Sequence, residues 1–210
     1  MDSILDDQNN FSKVNEDIYK TIIKYEDRNN RLVTSLMKNG SIDEKTSRNL
    51  KCSGSRPGIM YGLPKIHKRK TPLRPILSTV GTYNYNMSQF LVPFLSVLTR
   101  SCYTVKDSFS FVKEICSFRN DNYVMASFDV SSLFTNIPID ETCTIILSEF
   151  FPSDDSVYNG FRRKEFSKIL ENCTKNNIFL FNKQLYQQKD GAPMGGCVSP
   201  SLANIFFISS

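Results

Sequence analysis

Hydrophobic positions in the first forty residues recur at helical spacing. Val14, Ile18 and Ile22 fall at i, i+4 with Tyr25 beside them, which predicts a helix within 11–38, ended by Gly40. Ser41 and Glu44 make an S-x-x-E pattern that opens a short helix toward Lys51. The stretch CSGSRPG (52–58) predicts a loop. Two extended stretches, GIMYGLPKIHK (58–68) and PLRPILSTV (72–80), flank a basic turn and predict a hairpin. Residues 84–99 predict an apolar helix with Met87, Leu91 and Leu98 on one face, and Pro93 near its start or at a kink. Asp107 is the predicted cap of a helix carrying Phe111, Ile115 and Phe118. The β-prone run NYVMASF (122–128) predicts a buried strand that delivers Asp129 at its end. Pro138 and Asp140 begin a helix through Phe150, and a polar loop, PSDDSVYNG, leads to another helix over 163–175. IFLFN and QLYQQ predict a second hairpin around Asn182-Lys183. A glycine-rich loop then enters an apolar helix with Leu202, Ile205 and Phe206, still apolar where the sequence stops, as expected of a truncated chain. Mixed helices and hairpins give an α+β class.

Composition narrows the class. At 210 residues with 40% hydrophobic content and 16 Phe, the chain suits a globular fold rather than disorder. No apolar run reaches the length of a membrane span, and the polar, acidic start MDSILDDQNN lacks a secretory-signal pattern. The six cysteines form no C-x-x-C pair, so reduced intracellular thiols are expected rather than disulfides or zinc.

Charge changes the picture more. The net charge is only +5, yet Lys45 to Lys106 holds eleven Lys and Arg and no Asp or Glu. A segment of one sign beside an acidic remainder favours a polyanion partner, a nucleic acid or a nucleoside triphosphate. The candidate chemistry then falls into three segments. LPKIHKRKTPLRPI puts Lys65 and Arg74 on a basic hairpin, where Arg offers a planar fork and Lys a point charge to phosphate. SFDVSSLFTNIP sets Asp129, an acid at a strand end fit to hold Mg²⁺, five residues before Phe134. GAPMGGCVSP allows close approach of backbone to a base pair or sugar. Other signals fall away. Ser199 has no His partner for nucleophilic catalysis, Gly195-Gly196 lacks the GK[ST] of a phosphate loop, and His67 has no partner at metal spacing.

The order K…RPI, FDVxxLF, GxxMG…SP resembles that of reverse transcriptases. The spelling YGLPKIHK, PLRPI, SFDVSSLFTNIP and FNKQLYQQKDGAPMGGCVSP is similar to the Penelope-like retroelements, relatives of the telomerase reverse transcriptase, over residues 36–208. The resemblance implies a right-hand polymerase fold: an N-terminal helical extension (1–50), a fingers-like region with the basic hairpin (51–120) and a partial palm (121–210). It implies an RNA-directed DNA polymerase acting with Mg²⁺ on an RNA template, a DNA primer and deoxynucleoside triphosphates, in the nucleus or cytoplasm. Asp129 is then the first catalytic metal ligand with the Val130 carbonyl beside it, and Phe134 the gate against a 2′-hydroxyl. Lys65 and Arg74 clasp the triphosphate, and Met194 and Gly195 contact the nascent pair. Lys68, Arg69, Lys70, Gly191 and Pro200 lie along template and primer.

One part of the family pattern is missing. Its aromatic-x-Asp-Asp hairpin belongs after the third segment, whereas the Asp154-Asp155 pair precedes it in a loop. The expectation is therefore a fragment whose full-length parent polymerises and which does not itself do so. The alternative is a non-catalytic nucleic-acid-binding remnant.

Overall fold

A computed structural model describes residues 5–66, 68–69, 71–101, 104–117, 124–130, 132–175 and 177–209. Its mixed sheet runs in the order β1 (Phe11–Lys13), β7 (Gln184–Gln188), β6 (Asn177–Phe181), β2 (Gly58–Pro64) and β3 (Leu73–Ser78). Among the described residues only the β2–β6 pairing is parallel. The helices are α1 (Ile18–Lys38), α2 (Glu44–Leu50), α3 (Tyr85–Leu95), α4 (Ser108–Ser117), α5 (Ile139–Phe150), α6 (Arg163–Thr174) and α7 (Ser199–Ser209). A two-stranded ribbon, β4 (Val157–Tyr158) with β5 (Phe161–Arg162), precedes α6. The α+β class is as expected, and both predicted hairpins form.

Local chemistry accounts for most boundaries. Asp17 caps α1, its carboxylate accepting from the Lys20 N–H at 2.9 Å. The predicted helix over 11–38 therefore begins later than its periodicity suggested, and Phe11–Lys13 instead extends the sheet beside β7. Asp43, not Ser41, caps α2, accepting from Thr46 N–H at 2.8 Å. Asp107 caps α4 as expected, although no residue of α4 is buried and Phe109 is 83% exposed. Phe118, expected on its apolar face, lies outside the described residues. The β6–β7 turn holds Asn182 and Lys183 at φ 48° and 63°, the left-handed pair of a two-residue hairpin. The polar stretch 152–160 contains strand β4, because Asn159 and Gly160 supply a second such turn.

Two cores form. The larger joins α1, α3, α5, α6 and α7, with Val33, Met87, Ile146, Phe166 and Leu202 almost solvent-free. Phe94, Phe150, Phe161 and Phe166 meet edge to face in it. The smaller packs Met60, Leu77, Phe179 and Tyr186 on one face of the sheet. Between helices and sheet runs a buried asparagine network. Asn172 donates to Asn29 Oδ1 at 2.8 Å, Asn29 donates to the Leu50 carbonyl, and Asn84 donates to Asn177 Oδ1 and the Asn172 carbonyl. These bonds satisfy amides that would otherwise be costly to bury. The five described cysteines are free. Burial pushes the Cys143 thiol up to about 11 and the Cys173 thiol up to about 12. Among the described residues, no helix is long and apolar enough to cross a membrane.

Candidate nucleic-acid interface

The basic hairpin has two unlike faces. Met60 and Leu77 lie opposite each other and are buried in the smaller core. The other face carries Ile59, Tyr61 and Leu63, each about half exposed, with Ile76 opposite Tyr61 and Arg74 opposite Leu63. The Lys65 N–H donates to the Pro72 carbonyl at 2.9 Å and carries the ladder one step further. Side chains alternate along a strand, so Lys65 falls on the Arg74 face. It is a diagonal neighbour of Arg74, a relationship that sets residues about 7–8 Å apart. Lys68 and Arg69 stand exposed at the tip, while His67 and Lys70 lie outside the described residues. Among the described residues, no carboxylate pairs with Lys65, Lys68, Arg69 or Arg74. Their charge is available to a phosphate.

The glycine loop is fastened to this hairpin. At the free edge of β3 the Leu77 N–H donates to the Met194 carbonyl at 2.8 Å. Gly195 sits at φ +116°, where a Cβ would lie 2.6 Å from the Leu77 carbonyl oxygen and 3.6 Å from the Ile76 side chain. Only glycine fits there. Ile76 and Arg74 share a strand face, so the row Arg74, Ile76, Gly195 is continuous. Buried Ser199 closes the loop, its hydroxyl donating to the Pro193 carbonyl at 2.7 Å. Pro200 follows it, exposed, in the first turn of α7.

The same loop holds the aromatic segment. The Ala192 N–H donates to the Phe134 carbonyl at 2.7 Å. A Cβ on Gly191, at φ +75°, would come within 2.7 Å of the Thr135 carbonyl oxygen. Asp190 accepts from the Ile139 N–H at 3.3 Å, tying the start of α5 to the end of β7. Phe134 lies in a 3₁₀ turn (Leu133–Asn136) entered through Ser132 at φ 53°, a left-handed conformation rare for serine. Its ring is half-buried against the larger core. Two of the three sequence segments are thus bonded to the third, and Lys65, Arg74, Phe134, Gly191, Met194 and Gly195 fall along one chain of contacts.

Asp129 departs from expectation. Of the predicted strand, Asn122 and Tyr123 lie outside the described residues; residues 124–130 form no strand, and Val124 and Phe128 are 94% and 93% exposed. β-Propensity alone does not hold a strand, because its backbone groups need a neighbouring ladder and its side chains a packed face. Asp129 and Val130 are exposed with the rest of the segment, and Ser131 lies outside the described residues. Among the described residues, no three of His, Cys, Asp and Glu gather to hold a metal ion. The donor set does not fit a pair of Mg²⁺ ions. Asp154 and Asp155 line a separate groove with Arg162, Arg163, Lys164 and Lys168.

Leu77 and Thr135, which carry no signal in the sequence, set the loop through backbone atoms, and Ser199, set aside above as a nucleophile, sets it through its hydroxyl. The alternation of Ile59, Tyr61 and Leu63 was the available signal for the exposed face. Glycines at fixed positions hinted at close backbone approach without naming the partner. No family model matches the chain, and no curated protein matches it.

Proposed function

We propose that the chain is a nucleic-acid- and nucleotide-binding portion of a reverse transcriptase. One observation carries the reading: the Leu77–Met194 and Ala192–Phe134 bonds join, through one loop, the segments in which the family resemblance resides. In this reading Lys65 and Arg74 neutralise the triphosphate of a deoxynucleotide, Arg by its bidentate fork. Phe134 lies under the sugar and disfavours a 2′-hydroxyl. Met194 and Gly195 press backbone against the nascent pair, and Gly191 and Pro200 border the template. Lys68, Arg69 and Lys70 follow the phosphates of an RNA template and a DNA primer in the nucleus or cytoplasm. Mg²⁺ would neutralise charge on the triphosphate. The described donors do not fit it, so the reading routes no step through it.

A second reading, nucleic-acid binding without catalysis, is favoured by one observation, the exposed and unclustered Asp129. The two share their binding claim and differ in primer extension, for which the expected result with this chain is no product. The binding test is fluorescence anisotropy with a labelled RNA–DNA primer–template. Lys65→Gln/Arg74→Gln is expected to weaken binding about tenfold or more and to flatten its salt dependence. A wild-type chain with a cooperative melt and no affinity for the duplex would overturn both readings.

A further inference from the structure

A cationic groove is lined by residues distinct from those of the basic hairpin. It is an open furrow of about 690 Å³ lined along α1 by Asn30, Arg31, Thr34, Ser35 and Lys38, and closed by Lys51 beyond the end of α2. Residues 27, 30, 31, 34, 35 and 38 fall on one helical stripe. Among the described residues, no carboxylate pairs with Arg31, Lys38 or Lys51, and Asp27 is the only acid in the lining.

The groove is built rather than incidental. Asn30 accepts from the Cys52 N–H at 2.9 Å and donates to the Cys52 carbonyl at 2.8 Å, which pins the residue next to Lys51 against α1. Asn29, one position back, donates to the Leu50 carbonyl at 3.1 Å on the other side of Lys51. Lys51 is therefore held over the stripe by its neighbours on both sides.

The spacing selects the ligand. Arg31 and Lys38 are two helical turns apart, about 10 Å at the α-helical rise. A row of that length, with Lys51 across it, offers cations to more than one phosphate of a strand. Between them Ser35 is a neutral donor of a type that contacts phosphate and sugar, whereas the Thr34 hydroxyl donates to the Asn30 carbonyl at 2.8 Å. No aromatic side chain lines the groove, so bases have no stacking platform there.

We propose that this groove binds the sugar–phosphate backbone of a nucleic-acid strand, without regard to sequence. The inference rests on the nucleic-acid reading above and adds to it a second contact, through residues other than those of the basic hairpin. The test is a salt titration of full-chain binding to a short fluorescent oligouridylate. Three phosphate contacts on a single strand correspond to a slope of log K against log [salt] of about −2. Arg31→Gln/Lys38→Gln/Lys51→Gln should lower the magnitude of the observed slope by about 2, and Asp27→Asn should tighten binding. A triple variant that melts like wild type and keeps its slope would overturn the groove. So would displacement of the oligonucleotide by polyglutamate at lower concentration than by unlabelled RNA, since that favours an acidic protein. If Lys65→Gln/Arg74→Gln alone abolishes binding and the groove variant does not weaken it, the groove fails while the hairpin reading stands. If wild type binds no oligonucleotide, both fail.

Discussion

The backbone N–H of Leu77 and the carbonyl of Met194, 2.8 Å apart, join the edge of a sheet to a glycine loop more than a hundred residues away in sequence. The bond caps a β3 edge that would otherwise be open. It also sets Gly195 against Ile76, on the strand face that carries Arg74.

Gly195 is the sensitive point of that contact. Gly195→Ala meets a backbone oxygen and adopts a φ that L residues avoid, so it should cost about 1–3 kcal/mol in strain before any loss of the loop. Gly54→Ala, also at positive φ but with open space around it, should cost about 1–2 kcal/mol. Urea denaturation of the two variants checks the difference. Equal losses would mean that the loop does not press on β3.

The asparagine network is predicted to hold α1 and α6 together. Asn172→Ala leaves the buried Asn29 Oδ1 without its donor and should cost about 1–3 kcal/mol. Asn29→Ala removes the acceptor of the same bond. A double-mutant cycle on denaturant midpoints should therefore show coupling between the two positions. Strict additivity would contradict the bond.

Glu165 should make stability depend on acid. Partial burial pushes its carboxyl up, but the Arg162 N–H, the Asn39 amide and the Ser41 hydroxyl outweigh this and hold it below the ordinary value of 4.5. A depressed folded value means that its contribution is complete above the unfolded value and fades as pH falls through the folded one. Thermal melts should find Glu165→Gln less stable than wild type at neutral pH, with the two converging below pH 4.5. A gap that persists into acid would point to lost packing instead.

Much of this was legible in the sequence because it is local. Asn182, tolerant of the left-handed region, marks a tight turn between two β-prone runs, and Asp107 caps the helix it precedes. Lys65 and Arg74 fall on one hairpin because period-2 alternation fixes their face. Structure departs from local pattern where tertiary partners decide. Phe11–Lys13 left the helical pattern because β7 offered a ladder, and 124–130 lacks one despite its composition. The fastening of the glycine loop was invisible because it runs through backbone atoms of Leu77, Phe134 and Thr135, which every residue type possesses.

Under the proposed function, hairpin, aromatic turn and glycine loop form one nucleotide site. Photoaffinity labelling with a photoreactive deoxynucleoside triphosphate, in the presence of an RNA–DNA primer–template, tests it most directly. The account predicts label in peptides spanning 58–78, 132–138 and 190–196, with loss of label in Arg74→Gln. Label confined to other segments, or undiminished in Arg74→Gln, would contradict it.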